Sequence, residues 1–323
     1  MKEEKTKRWG KNEYEDKRNW PEYNEQLVVR GTFYLDFSLF KDWDEELECM
    51  NKGKRGGQYL FPQSFIAWEA VWHQLVDYRG LEGITRKLAE ANLIPRYNDY
   101  TTIWHRVHDF KPKIILPEYD NLQIKSDGTG LKINNRGEYR MDKYGDKNRK
   151  KKHVVVVITA DKKRKKLLDV DVFLEGEGDS EPNTAIKQMK RIMKKKKHVT
   201  NFGGDGAFDT HVMFGFLDKH SIRSSIKIRK KSVTHDYVGL PFFSKRRGKE
   251  VRKYQGLGYK KWAEKVNYGD RWPSTEGIFS AVKRKFGENM VSVRKKNVLA
   301  EALQRFWAYD ILQLYGNGDL KRL

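Results

Sequence analysis

From residue 122 onward the apolar residues stop recurring every three or four positions and begin to alternate, and that switch of period constrains the fold more than any other feature of the chain. Residues 122–133, LQIKSDGTGLKI, alternate like a strand, with Asp127 inside the run. Residues 153–161, HVVVVITAD, form a β-branched stretch, and residues 167–176, LLDVDVFLEG, alternate again. The next segment, 182–197, returns to helical spacing, with Ala185, Ile186, Met189, Ile192 and Met193 on one face and basic residues on the other. A fourth strand, VTNFGGD, ends at Asp205; residues 210–219 read as a helix and residues 222–228, IRSSIKI, as a fifth strand. Three strands, then helix, strand, helix and strand, predict a mixed α/β sheet flanked by helices. Such sheets present functional groups at strand ends and in the loops beyond them, where Asp127 and Asp205 fall.

Upstream, the pattern is helical. Residues 1–20 form a charged lead expected to be partly disordered. The acids Asp42, Asp44, Glu45, Glu46 and Glu48 lie too close together on one short helix to cage a metal, and read as a solvated face. Pro62 opens an apolar pattern through Phe65, Ile66, Trp68, Val71 and Trp72 that reads as a core helix. Two short helices, 81–91 and 99–110, flank a turn containing Pro95 and make a helix-turn-helix candidate. Its second helix carries Tyr100, Thr101, Thr102, His105 and Arg106 near its start, residue types that bond phosphates and base edges. His105 and His108 lack a third ligand nearby, which argues against a metal pair.

Charge points to the partner. The 66 Lys+Arg against 44 Asp+Glu give a formal net charge of +22, which favours a polyanion. With 38% apolar and 13% aromatic residues the chain can still bury real cores, so the excess is a surface property. The single cysteine, Cys49, excludes an intrachain disulfide and a cysteine-based zinc site. No apolar run fits a signal peptide or a membrane span, so the expectation is a soluble intracellular protein.

Past the fifth strand, residues 229–270 interrupt the core with a basic, aromatic-containing insertion that includes SKRRGK and YKKWAEK. Trp262 and Tyr259 in it are candidates to stack on an exposed base. Residues 271–285, RWPSTEGIFSAVKRK, then read as a helix with Pro273 suited to its first position. Glu276 and Lys283 are seven apart, two helical turns, so an acid and a cation project from nearly the same face, with Tyr268 and Arg271 just upstream. A solvated helix with an incidental acid is the plainer reading of that segment alone. A last helix, with Leu299, Leu303, Phe306, Trp307, Ile311 and Leu314 facing the core, ends at Gly316. No Gly-Lys-Ser/Thr ending follows GGDGAF, which excludes a P-loop, and no Gly-x-Ser-x-Gly elbow occurs.

Taken together, Asp127 in a first strand, Asp205 after a fourth strand and Glu276 in a late helix resemble the DDE triad of prokaryotic insertion-sequence transposases. The chain looks most like the group whose third acid lies in a Tyr-x2-Arg-x3-Glu-x6-Lys signature: Tyr268, Arg271, Glu276 and Lys283 match, with four residues instead of three between Arg271 and Glu276. The resemblance implies a ribonuclease-H-like catalytic domain over 119–323 carrying the insertion 229–270, preceded by an all-helical DNA-binding region over 21–118. It implies metal-dependent cleavage and strand transfer on double-stranded DNA, both transposon ends and target, by a homodimer in the prokaryotic cytoplasm at the nucleoid. Three converging carboxylates suit two Mg²⁺ or Mn²⁺ ions, hard cations that take oxygen ligands. Tyr268, Arg271, Lys283, Thr102, Arg106 and Trp262 are then the expected DNA contacts. A nuclease without strand transfer and a non-enzymatic DNA-binding relative are the competing functions. Asp209, Asp169 and Asp171 compete with Asp205 for second place; a helix opening explains the first and a solvated strand face the other two.

Overall fold

β1 (Leu122–Ile133) is the strand on which everything else is hung. In the computed structural model, which describes residues 19–133, 153–229, 232, 244–266, 268, 274–320 and 323, it pairs on one side with β2 (His153–Asp161) and on the other with β4 (Val199–Gly204). β3 (Leu167–Leu174) extends the sheet beyond β2 and β5 (Arg223–Ile226) beyond β4, giving the order β3-β2-β1-β4-β5. The first three strands are antiparallel, whereas β4 and β5 run parallel to β1. The short β6 (Asn289–Met290) pairs parallel with the end of β1. This is the mixed sheet expected from the alternation, and the strand order is ribonuclease-H-like.

Alternation along β1 sorts side chains to two sides. Leu122 and Ile124 join the core built by α6 (Glu181–Lys194) and α7 (His211–Lys219), through Ala185, Met189, Ile192, Met213, Phe214 and Leu217. Leu131, paired with Val154, joins the opposite core, built by α9 (Thr275–Phe286) and α10 (Lys295–Gly316). Asp127, four residues before Leu131, is on that second side of the strand by the same alternation.

The second core does not stop at the sheet. It runs on into the N-terminal helices α2 (Trp43–Asn51), α3 (Gln63–Trp72), α4 (Tyr78–Glu90) and α5 (Tyr100–Asp109), where Trp68, Phe65 and Ile103 are buried with Phe306 and Ile278, while α1 (Trp20–Thr32), with no buried residue, packs on the outside against α10. α10 is the shared partner: Gln304 Nε2 donates to the Val107 carbonyl at 2.6 Å, and Tyr315 Oη to Asp36 at 2.7 Å. At its base the buried Lys166 Nζ holds the buried Asp310 at 2.5 Å, fastening α10 to the start of β3.

α3 is buried from Ser64 to Val71, as its unbroken apolar run implies. The acids ahead of it are not all solvated. Glu46 accepts from the Ser64 amide at 3.0 Å and from its hydroxyl at 2.5 Å, supplying the cap that Pro62 cannot give to α3. No helix among the described residues is long and apolar enough to cross a membrane.

Candidate active site

Asp127 stands opposite Ile158 of β2, two residues beyond Lys125, and Lys125 is paired in parallel register with Gly203 of β4. Carrying that register forward by two residues on each strand brings Asp205 abreast of Asp127, with neighbouring strands about 4.8 Å apart. The chain leaves β4 at this point. Asp205 caps a single turn of 3-10 helix, its Oδ1 accepting from the Ala207 amide at 2.8 Å.

Gly203 and Gly204, just ahead of Asp205, serve packing. A Cβ on Gly203 would lie 2.5 Å from Cδ of Lys125, and one on Gly204 2.5 Å from Cδ2 of Phe208. Gly203 thus makes room for a wholly buried lysine, which donates to Ser225 Oγ at 2.8 Å.

The rival acids are spoken for. Asp209 does not open α7, whose cap is Thr210, accepting from the Met213 amide at 3.2 Å. It is instead buried, accepting from Arg247 Nε at 2.7 Å, Arg247 Nη2 at 3.2 Å, Ser232 Oγ at 2.6 Å and the Arg229 amide at 3.1 Å. This knot ties α8 (Lys245–Lys265), the helical segment of the basic insertion, which is broken by a kink at Gly258, to the end of β4. Asp169 and Asp171 do not face open solvent; both lie under α6, where Arg191 Nε holds Asp169 at 2.7 Å and Nη2 holds Asp171.

Glu276 sits half-buried in the first turn of α9, which packs across β1 and β2 on the side to which Asp127 belongs. Lys283, two turns on, faces Glu288 at 3.9 Å. Arg271 and Pro273 lie outside the described residues.

One carboxylate was missed by sequence reasoning. Glu181, at the start of α6, lies half-buried beside the aspartates: burial first, then Asp127 and Asp205, hold its carboxyl above the usual carboxylate pKa. The only sequence signal was an acid one residue ahead of the expected helix start at 182. Among the described residues no group of three or more His, Cys, Asp or Glu side chains is arranged so that it could hold a metal ion. The donor set nevertheless fits a hard divalent cation, because every candidate ligand is a carboxylate oxygen.

The expected DNA contacts fare unevenly. Trp262 is 1% exposed, packed with Tyr254 at 5.3 Å and Tyr268 at 5.3 Å, so it cannot present a ring face to a base; Tyr259, 48% exposed, is the open ring of that cluster. Thr102 donates its hydroxyl to Asp99 Oδ2 at 2.7 Å, capping α5. Arg106 donates to the Phe61 carbonyl at 3.3 Å and lies 4.7 Å over the ring of Tyr59. Both residues thus have intramolecular work at the helix expected to read DNA.

A family model described as a transposase DDE domain matches residues 124–311, more than half of the chain and the whole span from β1 into α10. The chain belongs to the DDE transposases. A second model of the same description matches residues 28–136, the helical region and β1. Among solved structures, the transposase is similar to a chain of a simian T-cell lymphotropic virus intasome complex, at 12% identity and TM-score 0.27, covering 73% of this chain and 66% of that one. It is similar to the piggyBac transposase in a synaptic complex with hairpin DNA, at 11% identity and TM-score 0.38, covering 92% and 77%. It is also similar to the Drosophila P element transposase in a strand transfer complex, at 12% identity and TM-score 0.31, covering 89% and 88%. The transposase spans just under two thirds of the viral chain it matches.

Proposed function

We propose that this transposase binds the ends of its own element as double-stranded DNA and, through Asp127, Asp205 and Glu276, performs divalent-metal-dependent strand cleavage followed by strand transfer. The Lys125–Gly203 register, which extended by two residues on each strand would bring Asp205 abreast of Asp127, is the observation that supports this reading. The two carboxylates and Glu276 would hold Mg²⁺ or Mn²⁺, and two such ions would supply activation of the attacking oxygen and stabilisation of the leaving one at phosphorus. In the first step water attacks the scissile phosphodiester and the 3′-oxygen leaves as a hydroxyl. In the second that hydroxyl attacks a target phosphodiester and another 3′-oxygen departs. Lys283 and Arg271 neutralise phosphate close to the scissile bond, and Tyr268 packs its ring against Trp262.

The signature Tyr268, Arg271, Glu276 and Lys283 supports placement in the Tyr-Arg-Glu-Lys group of prokaryotic insertion sequences, acting in the cytoplasm at the nucleoid as a DNA-bound homodimer. Residues 21–118 then carry end recognition and 119–323 the chemistry. Exposed cations on α6 and α8, among them Lys190, Lys194, Lys249 and Arg252, give phosphate contacts.

The test is incubation of the full chain with labelled DNA from the flanks of its own gene and Mg²⁺. Specific 3′-end cleavage and joined products are expected, and both vanish in Asp205→Asn and Glu276→Gln. Cleavage without joining would leave a nuclease, and binding without cleavage would sink the enzymatic reading.

A further inference from the structure

Glu181 does more than open a helix. Gly128 directly follows Asp127, and a Cβ there would lie 2.8 Å from Cδ of Glu181, 3.3 Å from its Cγ and closer still to Oε1. The strand therefore has a slot at the one position over which this carboxylate passes. Because β1 alternates, Asp127 leaves the strand on the α9 side, while the slot at Gly128 opens on the α6 side. Glu181 thus reaches the carboxylate end of the strand from the face opposite α9.

Charge deepens the point. Among the described residues no hydrogen bond or ion pair reaches Glu181, although the chain carries 66 Lys+Arg and α6 itself supplies Arg191 to neutralise Asp169 and Asp171. An acid in a first helical turn is favoured by the helix dipole, which accounts for its being there. It does not account for a side chain laid over Gly128 towards two like charges. Like charges brought out of water repel more strongly, and a cation between them reverses the sign.

We propose that Glu181 is a fourth carboxylate ligand of the same divalent-metal site, added to Asp127, Asp205 and Glu276. This rests on the reading of Asp127 and Asp205 as metal-holding.

The test uses the full chain without DNA. Mn²⁺ is titrated calorimetrically into wild type, Glu181→Gln, Gly128→Ala and Asp205→Asn, and each is melted in EDTA and in excess Mn²⁺. Glu181→Gln should weaken Mn²⁺ binding by at least about tenfold. Its melting temperature should rise in EDTA, since one of the repelling charges is gone, and its gain on adding Mn²⁺ should shrink. Gly128→Ala, which displaces the intact carboxylate, should lose Mn²⁺ affinity as well. If Asp205→Asn loses Mn²⁺ while Glu181→Gln binds it like wild type, the fourth ligand is wrong and the site stands. If Glu181→Gln melts lower in EDTA with unchanged Mn²⁺ affinity, the helix dipole suffices. If wild type binds no Mn²⁺, or Asp205→Asn binds it normally, the metal reading falls and the fourth ligand with it.

Discussion

Replacing Asp205 and Asp209, four residues apart, should break two different properties. Asp209 is buried, and four hydrogen bonds from Arg247, Ser232 and Arg229 converge on its two oxygens. Asp209→Ala strips the partner from an Arg247 whose side chain is 13% exposed. Removing one member of a buried pair costs about 3–5 kcal/mol, a large share of the roughly 5–15 kcal/mol that holds a domain folded. Guanidinium denaturation should therefore show a clear fall in midpoint. A double-mutant cycle with Arg247→Ala should return most of that loss as coupling, because the second replacement removes the stranded charge. Asp205→Asn is the contrast. Its amide oxygen can still accept from the Ala207 amide, so stability should move by less than about 0.5 kcal/mol. Metal-dependent cleavage should nevertheless be lost, whereas Asp209→Asn should cleave measurably at temperatures where it is folded. A wild-type midpoint for Asp209→Ala would refute the argument, as would an Asp205→Asn protein that is destabilised by several kcal/mol yet cuts normally.

Glu69, buried in α3 and bonded by Asn98 Nδ2 at 3.0 Å, has its pKa pushed by burial from 4.5 to about 8, against the lowering effects of Asn98 and Arg106. A folded pKa above the unfolded one contributes stability that is full below about 4.5 and is lost as pH rises through 8, so wild type should lose on the order of 4 kcal/mol across that window relative to Glu69→Gln; parallel stability curves would count against it. Gly203→Ala forces a methyl to 2.5 Å from Cδ of the buried Lys125 and should cost about 1–3 kcal/mol by thermal melting, part of it recovered with Lys125→Met. DNA affinity should fall by about 10³ or more between 50 and 200 mM salt if some six phosphates are contacted, and a flat salt profile in a binding assay would remove the basic faces of α6 and α8 from the interface.

The strands were legible because their signal is local. Alternation over residues 122–133 and the β-branched run 153–161 reappear as β1 and β2, since period-two patterning has one solution when both faces of a sheet are covered. The family followed from the order of Asp127, Asp205 and Glu276 along the chain, which needs no contact to be known. The N-terminal helices were legible as helices, but not as part of the same apolar core as the sheet. Their stripes show that something is buried, while the partner, α10, lies some two hundred residues on. Trp262 read as a stacking platform because aromatic residues in a basic segment look alike whether buried or open; only the packing of Tyr254 and Tyr268 around it decides. Asp209 and Asp205 are likewise the same residue type in one glycine-rich stretch. Their difference comes from Arg247, which reaches one and not the other once α8 is docked. Glu181 is the sharpest case. Its place beside Asp127 depends on how α6 lies across β1 at Gly128, and no periodicity encodes that, because it is fixed by the docking of two elements that are more than fifty residues apart in the chain.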